Sequence, residues 1–465
     1  MMQKIVIQNF GPIASAEIAI KKAVVLIGEQ ASGKSTIAKL IYYFKSLRED
    51  LFNKTYNESL NDDFEFDYYV HLIKPLREKF YDFFGSTKHQ KNFDITFYYS
   101  VEENIYLHLN LSEDKILHST FSENIIFKDL SRQIRMFRKH LPSQVDDNNI
   151  SEVLAYNQEK LKYAERLSNL LKETFCCDQD DNLFIVAGRN ATVGYSDSFE
   201  RQFFLNAKIQ PNNAFQKRQQ TIDETLMLDF ICKVMKYKDI FKKFYDFTSY
   251  LSVFKNGRKE DLKIVINKIH EVLKGRYHVD SFGEKIVFGS NVDDFIYLSN
   301  ASSGQQEVIR ILQDIFLTIA ENRKVLRIVE EPEAHLFPLA QKRVIELLVQ
   351  MAKNTDSNQL IITTHSPYVL TVFNNLLFAQ RVIDKNPEIE KEVAKIIGKE
   401  ACLQSGDFSA YVLSQSDNKN EFSAKSIVDE ATGMIGQNYL DTVSEILGYE
   451  FNSLYNLHSK SFERQ

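Results

Sequence analysis

The chain has 465 residues, which is enough for one large domain or for two to three domains of ordinary size. Apolar residues make up 44% of it and charged residues 26%, and no uncharged apolar run is long enough to span a membrane, so transport through a membrane segment of its own is excluded. The formal net charge of −6 excludes a chain coated with basic residues, and the four cysteines fit neither a disulfide framework nor a zinc-ligand spacing.

The first residues predict short strands rather than a targeting signal. MMQKIVIQNFGPI carries a charge at Lys4 and lacks the apolar core of a signal peptide, which predicts a cytoplasmic protein. Residues 4–8, 13–20 and 23–27 are β-rich runs, and the periodic apolar stretch IAKLIYYF begins shortly after the third. Between that strand and the helix lies GEQASGKST (28–36), so the order is strand, glycine-rich loop, helix.

The glycine-rich loop predicts a phosphate-binding site. GEQASGKS matches G-x-x-x-x-G-K-[ST] in the context that this motif requires, which makes a chance glycine loop the weaker interpretation. Its glycines let backbone N–H groups surround phosphates, Lys34 reaches the β- and γ-phosphates, and Ser35 gives an oxygen to Mg²⁺. The predicted nucleotide contacts are Gly28, Glu29, Gln30, Ala31, Ser32, Gly33, Lys34, Ser35 and Thr36.

The middle of the chain predicts an antiparallel β layer followed by helices. Residues 95–100, 105–111 and 115–121 alternate at period two with turn residues between them. Residues 124–177 and 199–274 are charged and helix-prone, and LFIVAGRN (183–190) between them predicts a buried strand leading into a loop.

A second loop with phosphate-binding character follows two or three short strands predicted up to residue 298. NASSGQQE (300–307) opens an amphipathic helix with backbone N–H groups and small hydroxyls, which is a phosphate-binding arrangement. For this loop alone, a serine-capped helix start is the commoner explanation.

Two carboxylates, Glu330 and Glu331, come directly after the apolar strand 325–329. In a P-loop fold this strand end lies beside the phosphate loop, so one acid can belong to the Mg²⁺ shell while the next orients or deprotonates the attacking water. Such pairs are a weak signal individually, but their order after the two loops favours a functional role. We predict Glu330 as the Mg²⁺-linked residue and Glu331 as the catalytic carboxylate.

The last predicted elements are a helix over 340–352, the strand 359–364 and a carboxyl-terminal segment. His365 follows that strand; a histidine there is usually structural, but here it is placed to contact a γ-phosphate. From 408 the sequence predicts a strand pair, FSAYVLSQ and SAKSIVDE, and then a helix over 438–457. Apolar residues recur on that helix at helical spacing: Leu440, Val443, Leu447, Phe451 and Leu454. They could form a docking face for a partner, although packing of this face on the chain's own head is at least as common an explanation.

In this order the motifs resemble the ATPase head of ABC and SMC proteins. GEQASGKS resembles Walker A, SSGQQ the signature, VLRIVEE Walker B, and His365 the switch histidine; NFGPI, EEPEAHL and TTHSPYVL are closer still to the OLD-like and RecF-related ATPases of prokaryotes. The resemblance covers about 1–45, 183–190 and 295–375. It implies an α/β P-loop NTPase head, with a mixed sheet, helices, an antiparallel β layer and a helical insertion.

The resemblance also implies a division of the chain. Residues 1–123 would be the first half of the head, 124–275 a mostly helical insertion that carries strand 183–187, and 276–380 the second half of the head. Residues 381–465 would form a β-hairpin and a helix without a nuclease domain, since no pair of aspartates follows an apolar strand after Leu370.

For mechanism, the resemblance implies that ATP with Mg²⁺ is sandwiched in a head-to-head homodimer or higher oligomer. Lys34, Glu331 and His365 would act catalytically, and a second copy would supply Ser303, Gly304 and Gln305. Glu330 stands where transporters carry an aspartate, and Gln305 stands where the second signature glycine is usual. Arg189 would either report on nucleotide from the position of the Q-loop or form a structural salt bridge.

Three partner hypotheses follow. The first, from resemblance, is the ATPase subunit of a bacterial antiphage system that works with a separate effector nuclease. The second is a RecF-like ATPase that clamps DNA, and the third is a scaffold that binds ATP without turnover, which Glu331 and His365 disfavour. Two basic clusters could support the second hypothesis, although such charge runs are more often solvated faces. They are Arg132, Arg135, Arg138 and Lys139, and Lys233, Lys236, Lys238, Lys242 and Lys243.

Overall fold

One large mixed sheet with helices packed on it organises the chain. The computed structural model describes residues 2–59, 67–122, 132, 134–136, 149–194, 221–289, 291, 293–415, 421–436 and 449–455. The strands are β1 Gln3–Phe10, β2 Ile13–Ile20, β3 Ala23–Gly28, β4 Asp94–Ser100, β5 Ile105–Leu111, β6 Leu117–Phe121, β7 Asp181–Ile185, β8 Arg276–Asp280, β9 Gly283–Val287, β10 Phe295–Tyr297, β11 Val325–Glu330, β12 Gln359–Thr364, β13 Phe408–Gln415 and β14 Phe422–Ser426.

The helices connect these strands. They are α1 Lys34–Ser59, α2 Lys74–Phe84, α3 Ile150–Thr174, α4 Ala191–Gly194, α5 Ile222–Phe244, α6 Phe247–Tyr250, α7 Asn256–Leu273, α8 Ser303–Glu321, α9 Pro338–Lys353, α10 Pro367–Lys385 and α11 Glu390–Ile396. A π-helical turn, Tyr69–Ile73, precedes α2, and residues 449–455 are helical. No helix within the described ranges is long and apolar enough to cross a membrane.

The phosphate-loop strand β3 lies among parallel neighbours. The order of the large sheet is β6-β5-β4-β1-β2-β14-β13-β3-β12-β11-β7, and β13, β3, β12, β11 and β7 all run parallel. Every residue of β11 is buried, as expected for a parallel strand covered on both faces. Helix α1 packs against β3, β12, β11 and β7.

The predicted antiparallel strands form one end of this same sheet. β4, β5 and β6 pair antiparallel in sequence order, and β4 joins β1, which pairs antiparallel with β2. Along β5, buried residues alternate with partly exposed ones, which matches the period of two in the sequence. The predicted fold class, α/β with a mixed sheet, helices and antiparallel strands, is confirmed.

The carboxyl-terminal strand pair lies inside the large sheet. β13 and β14 pair antiparallel, as predicted, but β13 also pairs parallel with β3 and β14 pairs parallel with β2. The hairpin therefore connects the antiparallel part of the sheet, at β2, to the parallel part, at β3, and is an integral part of the fold rather than an appendage. The domain boundaries at 123, 275 and 380 stay a prediction.

Helices α7, α8 and α9 pack on one another beside a small antiparallel sheet in the order β10-β9-β8. Helix α8 begins at a capping box, in which the Ser302 hydroxyl accepts from Gln305 N and the Gln305 side chain accepts from Ser302 N. Of the predicted final helix, Leu440, Val443 and Leu447 lie outside the described residues.

Candidate functional site

The carboxyl ends of four parallel strands bring the predicted motifs to one edge of the sheet. β3 ends in the loop 28–34, β12 ends before His365, β11 ends at Glu330, and β7 ends shortly before Arg189. Since β12 lies between β3 and β11, the switch histidine lies between the phosphate loop and the carboxylate pair. In an open α/β sheet, this edge is where ligands bind.

The phosphate loop depends on close backbone approaches at two glycines. Gly33 has φ +98°, and a Cβ there would lie 2.9 Å from the Ile13 Cγ1 atom. A Cβ on Gly28 would lie 2.7 Å from the carbonyl oxygen of Leu413 in β13. Both positions therefore require glycine.

Lys34 is directed into the loop that precedes it. Its Nζ donates to the carbonyl oxygens of Gly28 at 2.8 Å and Glu29 at 2.7 Å. The residue is 5% exposed, and burial lowers its pKa from the usual lysine value, while the carboxylates of Glu331, Glu333 and Glu330 act in the opposite direction. The ammonium thus has negative charge on the side facing β11.

A cleft of about 430 Å³ opens beside this loop. Its walls are residues 30–36, Pro12, Glu331, Thr363 and His365. Ser35 and Thr36 of the loop therefore face the same space as the predicted catalytic carboxylate and the switch histidine. Glu330, Ser303, Gly304 and Gln305 are not among the lining residues.

Glu330 and Glu331 differ in exposure and in partners. Glu330 is 8% exposed, and its Oε2 accepts from Ala187 N at 3.3 Å. The Glu331 side chain is 41% exposed, and its Oε1 lies 3.3 Å from Nε2 of His365. The Glu331 backbone has φ +43°, and its N–H donates to the carbonyl of Thr363 at 2.9 Å. A non-glycine residue in this left-handed conformation is strained and needs support from its surroundings.

A third carboxylate, Glu333, belongs to the site and was missed by sequence reasoning. Its Oε1 accepts from the backbone N–H of His365 at 3.0 Å and from the Thr364 hydroxyl at 2.5 Å, while its buried Oε2 has no hydrogen-bond partner among the described residues. Glu333 therefore links the loop after β11 to the switch segment. Its sequence signal was its place in PEAH, two residues after Glu331.

The predicted signature residues lie at the start of α8, away from the cleft of their own chain. Ser303 is exposed, and a Cβ on Gly304 would lie 2.6 Å from the carbonyl oxygen of His335. The Gln305 side chain bonds the capping serine and donates to the carbonyl of Leu273 at 2.7 Å. Gln305, which replaces the second signature glycine, is thus fixed by hydrogen bonds at the start of α8 and to the end of α7.

Arg189 lies next to the cleft but is completely buried, so it does not face the space beside the phosphate loop. Of the two interpretations offered by the sequence, the structure supports a structural ion pair, with Glu307 of α8 at 3.3 Å.

The oxygen donors at this edge of the sheet suit an Mg²⁺ ion that is bound together with the phosphates of a nucleotide. Within the described ranges, no group of three or more His, Cys, Asp or Glu residues could hold a metal ion. Mg²⁺ is usually bound through one or two carboxylates together with substrate phosphates and waters, so a serine oxygen and a carboxylate from β11 suit it better than a protein cage would.

The predicted basic clusters are partly neutralised. Lys233 pairs with Asp181 at 2.5 Å, and Lys242 lies 3.8 Å from Asp239. Arg132 and Arg135 are exposed, whereas Arg138 and Lys139 lie outside the described residues.

The family comparison agrees with the motif set. A family model described as an AAA ATPase domain matches residues 1–370. Among solved structures, the chain is similar to an SmcHead bound to the C-winged helix domain of ScpA, with 11% identity, 92% of this chain and 98% of that chain covered, and a TM-score of 0.39. It is also similar to the SMC head domain from Thermotoga maritima, with 9% identity, 92% and 98% covered, and a TM-score of 0.36. No curated protein matches.

Proposed function

This chain belongs to the AAA ATPase domain family and is a P-loop ATPase, and we propose that it binds and hydrolyses ATP in the cleft between the phosphate loop and Glu331. The observation that carries the proposal is that one cleft combines the loop 30–36, Glu331 and His365. These are the parts that phosphoryl transfer to water needs: a phosphate cradle, a group that handles the attacking water, and a donor near the γ-phosphate.

In this proposal, backbone N–H groups of the loop and Lys34 bind the phosphates. Ser35 and Glu330 would hold Mg²⁺, which would neutralise phosphate charge. Glu331 orients the water and takes its proton as the water oxygen bonds to the γ-phosphorus and the bond to the β-phosphate oxygen breaks. ADP and phosphate leave. Glu331 suits this role because its carboxylate is half-exposed at the cleft, and His365 at 3.3 Å keeps it oriented.

Lys34→Ala tests nucleotide binding. We expect ATP affinity to fall by at least tenfold, because charge-assisted hydrogen bonds contribute roughly 1.5–3 kcal/mol. Titration calorimetry with Mg²⁺ and ATP measures it. Lys39→Ala is the control, since Lys39 lies on the same helix but pairs with Asp223 at 2.5 Å. Wild-type affinity in Lys34→Ala would overturn the proposal.

We further propose that two copies share each ATP, with Ser303, Gly304 and Gln305 of one copy contacting the γ-phosphate held by Lys34 of the other. Support comes from the placement of these residues outside the cleft of their own chain, at a helix start with exposed Ser303.

We propose that ATP-driven closure acts on a separate effector protein, such as the nuclease of an antiphage system, which docks on the terminal helix. Support comes from residues 449–455, where Tyr449, Phe451 and Leu454 are 76%, 67% and 65% exposed. Exposed apolar groups on one helix are typical of a groove-binding segment.

Deleting residues 438–465 tests this docking. We expect association with a co-encoded effector to be lost in a pull-down while ATP hydrolysis is preserved. Unchanged association would contradict docking on this helix, and precipitation of the truncated chain would show that the helix belongs to the core. DNA capture by both forms would instead favour a RecF-like ATPase.

A further inference from the structure

Arg189 makes an unusual set of contacts for a buried residue that does not itself line the cleft. Its Nη1 donates to the carbonyl oxygens of Val186 at 2.8 Å and Glu330 at 2.6 Å, and its Nη2 donates to the carbonyl of Glu331 at 3.0 Å. One guanidinium thus donates to three carbonyl oxygens at the ends of the neighbouring strands β7 and β11. The residue is 0% exposed, so water does not compete for these bonds.

The same side chain is bound to helix α8. Glu307, which is 2% exposed, accepts from the Arg189 backbone N–H at 3.1 Å through Oε2, and its carbonyl accepts from Arg189 Nε at 3.3 Å. Glu307 lies one turn after Ser303. Arg189 therefore connects the end of β11 to the helix whose first residues are the signature.

The contact with Glu331 matters because of the backbone conformation there. At φ +43° Glu331 is strained, and strain of this kind persists only where surrounding bonds determine it. Its N–H is bound by Thr363 and its carbonyl by Arg189. With both sides of the residue fixed, the direction of the Cα–Cβ bond is fixed too, and the contact of Oε1 with Nε2 of His365 at 3.3 Å then orients the carboxylate.

We infer that Arg189 is a positioning residue that orients Glu331 for hydrolysis and couples that orientation to the start of α8 through Glu307. The inference rests on the proposed ATPase site and deepens it. A lysine cannot replace Arg189, because one compact ammonium does not reach carbonyls spread around a planar guanidinium.

Arg310 provides a matched control. It too is 0% exposed and lies on α8, but it pairs with Glu284 through two bonds of 2.6 and 2.7 Å and makes no hydrogen bond to Glu330 or Glu331. Each change removes the guanidinium partner of a carboxylate, Glu307 at 2% exposed and Glu284 at 18% exposed, so a merely structural role predicts that both variants lose stability.

The experiment compares Arg189→Lys with Arg310→Lys in the full chain, measuring Kd for ATP, kcat and KM after confirming folding by circular dichroism. We expect Arg189→Lys to lower kcat roughly 10–100-fold, as a small misplacement of a catalytic group does, with Kd within threefold of wild type. Arg310→Lys should keep kcat within threefold. Equal losses in both variants, or unchanged kcat in Arg189→Lys, would overturn the inference.

If Arg189→Lys does not fold, Glu307→Gln tests the inference instead, since the glutamine keeps an acceptor of the same size while removing the charge. A fall in kcat at unchanged Kd supports the coupling, and unchanged kcat refutes it. The wild type and Lys34→Ala are assayed first. Failure of the ATPase proposal would appear there, whereas failure of this inference would appear in the Arg189 or Glu307 variant of an active enzyme.

Discussion

Each carboxylate near Lys34 has different neighbours, and these determine its chemistry. Glu330 is nearly buried and bound by the Ala187 amide, Glu333 is bound by the His365 amide, and Glu331 reaches the solvent side of the cleft. Of the three, Glu331 is best placed to meet a water molecule. The sequence identified the pair 330 and 331 from its strand, but it could not distinguish their exposure, which depends on β7 and β12 on either side.

Away from the site, Glu49 on α1 predicts a pH effect on stability. Burial raises the pKa of Glu49 to about 7 from an ordinary 4.5. Between these two values the folded chain retains a proton that the unfolded chain has released, so the free energy of unfolding falls as pH rises. Glu49→Gln should therefore stabilise the chain more at pH 8 than at pH 5.

Urea unfolding at the two pH values measures this difference. Glu78→Gln is the control, since Glu78 lies on the same exposed face of α2 as Lys74, 4.0 Å from its Nζ, and is itself 62% exposed. The same stabilisation by Glu49→Gln at both pH values would contradict the prediction.

At the scale of elements, strand β13 supports the phosphate loop. Gly28 lies where β3 ends and β13 passes, with Leu413 as its register partner. Sequence periodicity predicted β13 and β14 as a strand pair. It could not predict their place between β2 and β3, because residues nearly 400 positions apart pair there and alternation along one strand does not specify a distant partner.

Gly28→Ala tests this support. The added methyl group would lie 2.7 Å from a backbone oxygen that cannot turn away, so we expect a loss of about 1–3 kcal/mol in stability and weaker ATP binding. Thermal unfolding and calorimetry measure the two effects. Gly406→Ala is the control because nothing lies within 4 Å of its Cβ position. If the Gly28→Ala chain were as stable as the control, β13 could shift away from the added methyl group without a loss of stability, which would contradict the prediction.

Local patterns predicted three elements of the site, namely the phosphate loop, β11 and β12, because each has a motif, an apolar run or a period in the sequence. Arg189 and Glu333 could not be assigned in this way. The burial of Arg189 results from β7, β11 and α8 meeting in space, and Glu333 becomes part of the site through a hydrogen bond to the next strand's end.

At the scale of the whole molecule, the proposed shared site predicts ATP-dependent self-association. Glu331→Gln, which would retain ATP, should sediment as a dimer with ATP and Mg²⁺ and as a smaller species without them. Adding Ser303→Glu should abolish this dimer, since a carboxylate there would repel a γ-phosphate, while ATP binding at the loop remains. An acid suits the first turn of α8, so folding should be unaffected. Dimers that persist in the double variant would contradict the shared site.

The central claim is that Glu331 and the phosphate loop form one hydrolytic site, and the most direct test is the turnover of ATP by Glu331→Gln. We expect ATP affinity within about threefold of wild type and kcat lowered roughly 10²–10⁴-fold, the usual contribution of a group that handles the proton of the attacking water. Glu17→Gln, at a side chain 66% exposed on β2, should hydrolyse ATP normally. Normal turnover by Glu331→Gln would contradict the account.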